Sequence, residues 1–220
     1  MKKLFLSLLS SVILTSPVLA DPKVKGWKTY DSMGCMLLGE CTDDVKQIRS
    51  IRDIQEYYPS SDYSVISDEF NSIIRSFDKI GVKVFLADDK YFPLGHRGVY
   101  HTVSNNFFLN TNFMHHQSTL MSVTRHEGWH AAQDCMAGSI DNSMIAIILP
   151  EEEIPTIWRE MAKRTYPKSA VPWESEASWA GRTEAVTAKA LGACATGKMW
   201  EVYEPTPLTR KWLVEKGFIK

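Results

Sequence analysis

The chain has almost no net charge, few cysteines and no histidine after position 130. Its 25 Lys and Arg against 26 Asp and Glu leave a formal charge of −1, which argues against a nucleic acid or an anionic membrane surface as partner. After residue 20 no apolar run is long enough to cross a bilayer. Internal repeats and low-complexity linkers are absent too, so nothing marks a boundary between domains. The four cysteines include no CxxC pair, which disfavours a four-cysteine zinc site.

The first stretch that stands out is one expected to be removed. Lys2 and Lys3 precede an apolar run from Leu4 to Leu14, and Val18-Leu19-Ala20 gives a cleavage pattern ahead of Asp21. Residues 1–20 therefore read as a secretory signal peptide, with no lipobox cysteine after it. The expected product is residues 21–220, an exported soluble protein, secreted or periplasmic, without a membrane span. Loss of Lys2 and Lys3 leaves 23 basic residues against 26 acidic ones, a net charge of −3. That length suffices for one domain with its own core. An even cysteine count in an exported chain reads as two disulfides. Cys35 and Cys41 flank a short loop and suit a local bridge, which leaves Cys135 to pair with Cys194.

Hydrophobic periodicity predicts a helix from Thr42 to Tyr58, with Val45, Ile48, Ile51 and Ile54 along one side and Pro59 as its stop. A second helix is predicted over Ser67 to Ile80, closed by Gly81. Residues 82–87 read as a strand, and 98–103 with 106–109 as a hairpin turning at Ser104-Asn105. A third helix should run from Ser118 to Met136 and stop near Gly138. Beyond it come the apolar run Met144 to Leu149 and a helix from Pro155 to Tyr166, with Ile157, Met161 and Ala162 inward. A long alanine-rich helix opened by Pro172 follows, to about Ala195. The fold class is α+β and mostly helical, a small sheet preceding a central helix and a helical C-terminal half.

That third helix contains His126-Glu127-Gly128-Trp129-His130, the HExxH pattern. Residues four apart share a helix face, so His126 and His130 can offer two imidazoles to one ion. Glu127 is rotated by about 100° from His126 and can lie beside the ion without ligating it. A carboxylate there can act as general base on zinc-bound water. The apolar residues before the motif and Ala131-Ala132 after it suit a buried helix better than a surface one. The segment resembles the active-site helix of the zinc metallopeptidases called zincins. In that family a small sheet precedes the helix, and its edge strand holds an extended substrate along the cleft. The resemblance implies that role for residues 100–110.

Two histidines leave a zinc site one protein ligand short. The metzincin pattern HExxHxxGxxH is excluded, since Gln133 and Met136 occupy its glycine and last histidine positions. With no later histidine, the third ligand should be an acid. Glu176 sits among Ala177 and Ala180, a face small enough to approach another helix closely, where a buried carboxylate needs a partner. The run Glu174-Ser175-Glu176-Ala177 resembles the third-ligand helix of the gluzincins. That resemblance implies Glu176 as ligand and Glu174 as an outer or exposed residue. Glu184 lies further along nearly the same face. Gly138-Ser139-Ile140-Asp141 is near the Gly-Thr-x-Asp of the aspzincins, which makes Asp141 another candidate. Glu176 and Cys194 are eighteen residues apart and should share a face, whereas Cys135, nine past His126, points away from the metal side. Their pairing therefore asks the HExxH helix to end or bend before Cys135.

The function these residues imply is zinc-dependent hydrolysis of a peptide bond in a peptide or protein substrate, with Zn²⁺ held by His126, His130 and Glu176 and Glu127 as catalytic base. An oxyanion donor is also needed. Tyr166 and Tyr203 are the tyrosines on offer, and His115-His116 is a further option. The alternatives are a non-catalytic exported binding domain on the same scaffold, or an aspzincin-type peptidase using Asp141. An intact Glu127 favours catalysis, since metal binding alone does not require it.

Overall fold

A computed structural model describes residues 30–220; the expected signal peptide at 1–20 lies outside the described residues. The fold is α+β and mostly helical, as expected. In chain order it runs α1 (Tyr30–Leu37), β1 (Val45–Ile48), α2 (Ile51–Tyr57), α3 (Ser67–Ile80), β2 (Lys83–Ala87), β3 (Gly98–His101), β4 (Asn106–Asn110), α4 (Gln117–Met136), α5 (Thr156–Thr165), α6 (Val171–Ala180), α7 (Val186–Ala195), α8 (Met199–Val202) and α9 (Pro207–Glu215). The sheet order is β1-β2-β4-β3. β1 is antiparallel to β2, β2 parallel to β4, and β3 antiparallel to β4. The hairpin turns through Asn105, held at φ 51°, a conformation that asparagine tolerates.

Alternation along the strands gives the sheet two covered faces. Val84, Leu86, Phe107 and Leu109 join the main core with α3, α4 and α7. Ala87 and Phe108 look the other way, into a smaller cluster with Met36, Tyr91 and Phe92. Phe85 stacks on Phe108 there, ring centroids 5.2 Å apart. α3 ends as its sequence predicts, on Gly81 with φ 84°.

Two predicted helices are corrected. Residues 42–58 split into β1 and α2, because Val45 to Ile48 pairs with the free edge of β2. A three-residue apolar spacing cannot tell one helical turn from a short half-buried strand. α2 then starts after Ser50, whose N–H donates to Asp53 Oδ2 at 3.0 Å. The long helix from 172 to 195 breaks at 181–185, where Ala185 takes φ 64° and donates its N–H to Glu69 Oε1 at 3.0 Å. α6 packs on α4 and α5, while α7 packs on α3 and α4, and one straight helix could not do both. A smaller correction concerns α5: Ala162 is buried, but Ile157 and Met161 are exposed. α5 lies at the periphery, with α6 as its main neighbour.

α4 is central and buried on nearly every side, from Leu120 to Met136. β3, one of the sheet's two edge strands, lies against it so closely that a Cβ on Gly98 would stand 2.6 Å from Val123 Cγ1. Only glycine fits there without displacing β3 or Val123.

Both expected disulfides are present, Cys35–Cys41 and Cys135–Cys194. α4 runs unbroken past Cys135, so the expected bend is absent. The break between α6 and α7 meets the requirement instead, since it frees Cys194 from the phase of Glu176. The long bridge spans 59 residues and should stabilise the fold by about 4 kcal/mol in the chain-entropy model. Cys135→Ala with Cys194→Ala should lower unfolding free energy in guanidinium by that order. A loss under about 1 kcal/mol would show that residual structure already restricts the unfolded chain.

A second consequence comes from Asp134 on α4, which is fully buried beneath the hairpin. Its Oδ2 accepts from the Tyr100 hydroxyl at 3.0 Å, while Oδ1 has no partner. Burial pushes this carboxyl up to about 7, against the Tyr100 hydroxyl and the Met144 backbone N–H, with the Asp141 charge adding to the rise. A folded value above the ordinary one favours the protonated native state. Its contribution is complete below about pH 4 and is lost as pH rises through about 7. Asp134→Asn keeps the acceptor for Tyr100 and cannot ionise. Urea titrations should show wild type losing stability against this variant between pH 4 and 7, by up to about 4 kcal/mol. A difference independent of pH would show that Asp134 titrates ordinarily.

Candidate metal centre

The two histidines of the motif stand one turn apart on α4, ring centroids 4.9 Å apart. α6 crosses α4 and brings Glu174 against both. Glu174 Oε2 lies 3.4 Å from His126 Nε2 and 3.7 Å from His130 Nε2. The three ligating atoms fall within 4.8 Å of one another, a group that could hold a metal ion. Glu174 Oε2 is buried and has no hydrogen-bond partner. An acceptor in that state is costly unless a cation or donor completes it, so the donor set fits a metal.

The acid that lies against the two histidines is Glu174, where Glu176 was expected. Glu176 is 1% exposed and turns to the opposite side of α6. Its oxygens accept from Trp129 Nε1 at 3.1 Å, Gln133 Nε2 at 2.7 Å, Ile148 N at 3.0 Å and Leu149 N at 2.7 Å. Those N–H groups satisfy the buried carboxylate without an ion. Two positions along a helix is a rotation of about 200°, so only one of the pair can face α4's histidines. The other candidates are elsewhere. Asp141 is exposed and bonded to Ser139, which removes the geometric basis of the aspzincin alternative. Glu184 is exposed in the turn between α6 and α7. His115 and His116 are exposed ahead of α4.

Glu127 lies beside the cluster and outside it. Its Oε2 accepts the Tyr100 backbone N–H at 2.9 Å, a donor on the side of β3 that does not pair with β4. The edge strand thus positions Glu127. These groups line a cleft of about 820 Å³, with Gly98, Val99 and Tyr100 of β3 on one wall. Tyr166, at the end of α5, reaches the same cleft. Tyr203 does not line it and stacks under Lys189 instead.

The electrostatics are those of a carboxylate held between two imidazoles. Burial alone would raise the Glu174 carboxyl, but the two imidazoles outweigh it and hold the group down at about 2. Burial would lower His130; Glu174, Glu127 and Gln133 prevail and lift it to about 9. Burial and the Glu174 and Glu127 charges raise the Tyr166 phenol, keeping it protonated at neutral pH.

Comparison with known proteins adds no relative: no protein-family model, no curated protein and no solved structure matches the chain.

Sequence reasoning missed Glu174 by choosing between two glutamates on one helix. The signal available was Trp129. As the large neighbour of His130 on α4 it is fully buried, and its N–H needs an acceptor, which is Glu176. Glu174→Ala should abolish tight binding of a divalent metal, measured by competitive chelator titration, whereas Asp141→Ala should leave it unchanged. Equal affinity in the two variants would remove Glu174 from the ligand set.

Proposed function

We propose that this cleft binds zinc and hydrolyses peptide bonds, with His126, His130 and Glu174 as metal ligands and Glu127 as general base. The observation that carries the proposal is the unpartnered Glu174 oxygen facing both histidines of an HExxH helix. Two His and one Glu with an open position is a donor set of catalytic zinc. When bound, the ion supplies Lewis-acid polarisation and a lowered pKa for water. The resemblance to zincins supports the same reading.

The chain's own groups do the rest. Glu127 is held by Tyr100 N–H through one oxygen, which leaves the other to take a proton from the attacking water and pass it to the leaving amine. Tyr166 supplies an O–H toward the developing oxyanion. An extended peptide lies along β3, whose outward N–H and C=O groups at Gly98 can pair with it. The proposed substrate is a peptide or protein.

Two disulfides fit an oxidising compartment, and no helix among the described residues is long and apolar enough to cross a membrane. With the leader pattern at 1–20, these support an exported enzyme.

Purified protein should contain zinc and cleave a peptide library, and chelator should stop it. Glu127→Gln should keep the metal and lose activity by about 10²–10⁴-fold. Iron in place of zinc, without cleavage, would overturn the hydrolase reading, since two His and one carboxylate also suit Fe(II).

A further inference from the structure

We propose that Glu176 and Gln133 form a positioning relay that decides which nitrogen His130 presents to the metal; this rests on the metal-centre reading above. Gln133 is fully buried, one turn beyond His130 on α4. Its Oε1 meets His130 Nδ1 at 2.8 Å. Its Nε2 meets Glu176 Oε2 at 2.7 Å and the Trp173 carbonyl oxygen at 3.1 Å.

Hydrogen-bond stoichiometry orients the chain of contacts. A carbonyl oxygen can only accept, and the Glu176 oxygens already face three further N–H donors from Trp129, Ile148 and Leu149. Both therefore require the amide NH₂, not the amide oxygen, to point at them. The Gln133 oxygen must then face His130, and since oxygen only accepts, Nδ1 must carry the hydrogen. In the neutral ring that leaves the lone pair on Nε2, the atom turned toward Glu174. A reversed amide would put N–H against Nδ1, move the ring hydrogen to Nε2 and block the ligand position.

α6 thus serves the site with both of its glutamates. Glu174 faces the ion, and Glu176, from the other side of the helix, sets the second histidine through Gln133. An anion two bonds behind the imidazole also makes it a better donor, and such outer partners commonly contribute 10–100-fold in metal affinity.

The experiment is a zinc titration against a competing chelator, with circular dichroism as the folding control. Gln133→Met and Glu176→Gln should each bind zinc about 10–100-fold more weakly. Gln133→Glu combined with Glu176→Gln restores an acceptor against Nδ1 and a donor behind it, and should recover most of the loss. Rescue by the swapped pair is an outcome that mere packing does not produce. In zinc-loaded wild type, long-range ¹H–¹⁵N NMR should place the His130 hydrogen on Nδ1, the tautomer that the relay requires. A folded Gln133→Met with wild-type affinity, or a hydrogen on Nε2, overturns the relay alone. Wild type that binds no zinc overturns the metal-centre reading and the relay with it.

Discussion

A helix buried on nearly every side needs partners for the polar groups it carries, and α4 carries many. Arg125 reaches Glu69 through two bonds of 2.8 and 2.5 Å. Glu127 takes the backbone N–H of Tyr100, and Asp134 takes the Tyr100 hydroxyl. Trp129 and Gln133 converge on Glu176. Each partner comes from a different element: α3, the edge strand, α6. The arrangement of the fold around α4 therefore also pairs most of its buried polar groups, with Thr124 Oγ1 and Asp134 Oδ1 as exceptions. A charge-assisted bond made in a dry interior is strong, and an unmade one is costly.

The same logic separates two glutamates that stand two residues apart. Glu176 has its oxygens filled by N–H groups from α4 and the irregular 144–149 segment, which spends its backbone donors there in place of a ladder. Burial still holds its pKa above the ordinary value, against those donors. Glu174 keeps one buried oxygen empty and leans on two imidazoles. One carboxylate is filled by N–H groups and the other faces two imidazoles in a group that could hold an ion. In the proposed enzyme, structure and chemistry divide between them on that basis.

The loop between α6 and α7 shows how a distant residue shapes this geometry. Glu69, on α3, binds Arg125 of α4 and the N–H of Ala185. It pins the turn that lets α6 cross the metal side of α4 while α7 brings Cys194 to Cys135. Thr187, just inside α7, adds a bond from its hydroxyl to Arg125 O at 2.9 Å.

What the sequence by itself determined is what depends on near neighbours. The i, i+4 spacing of His126 and His130 places both on one face whatever surrounds them. α3 is marked by its apolar stripe and Gly81, and the hairpin by its two short runs around Asn105. The cysteine pairing follows from a count and one short loop. Only the tertiary structure decided which acid lies against the histidines, because Glu174 and Glu176 differ in no local property: both reach α4, Glu174 at His126 and His130 and Glu176 at Trp129 and Gln133. It also decided that Val45 to Ile48 is a strand, since that needs β2 as partner, and that the alanine-rich stretch breaks at 181–185, since that needs Glu69. Short-range periodicity reports which face is apolar; it carries no information about which neighbour will cover it.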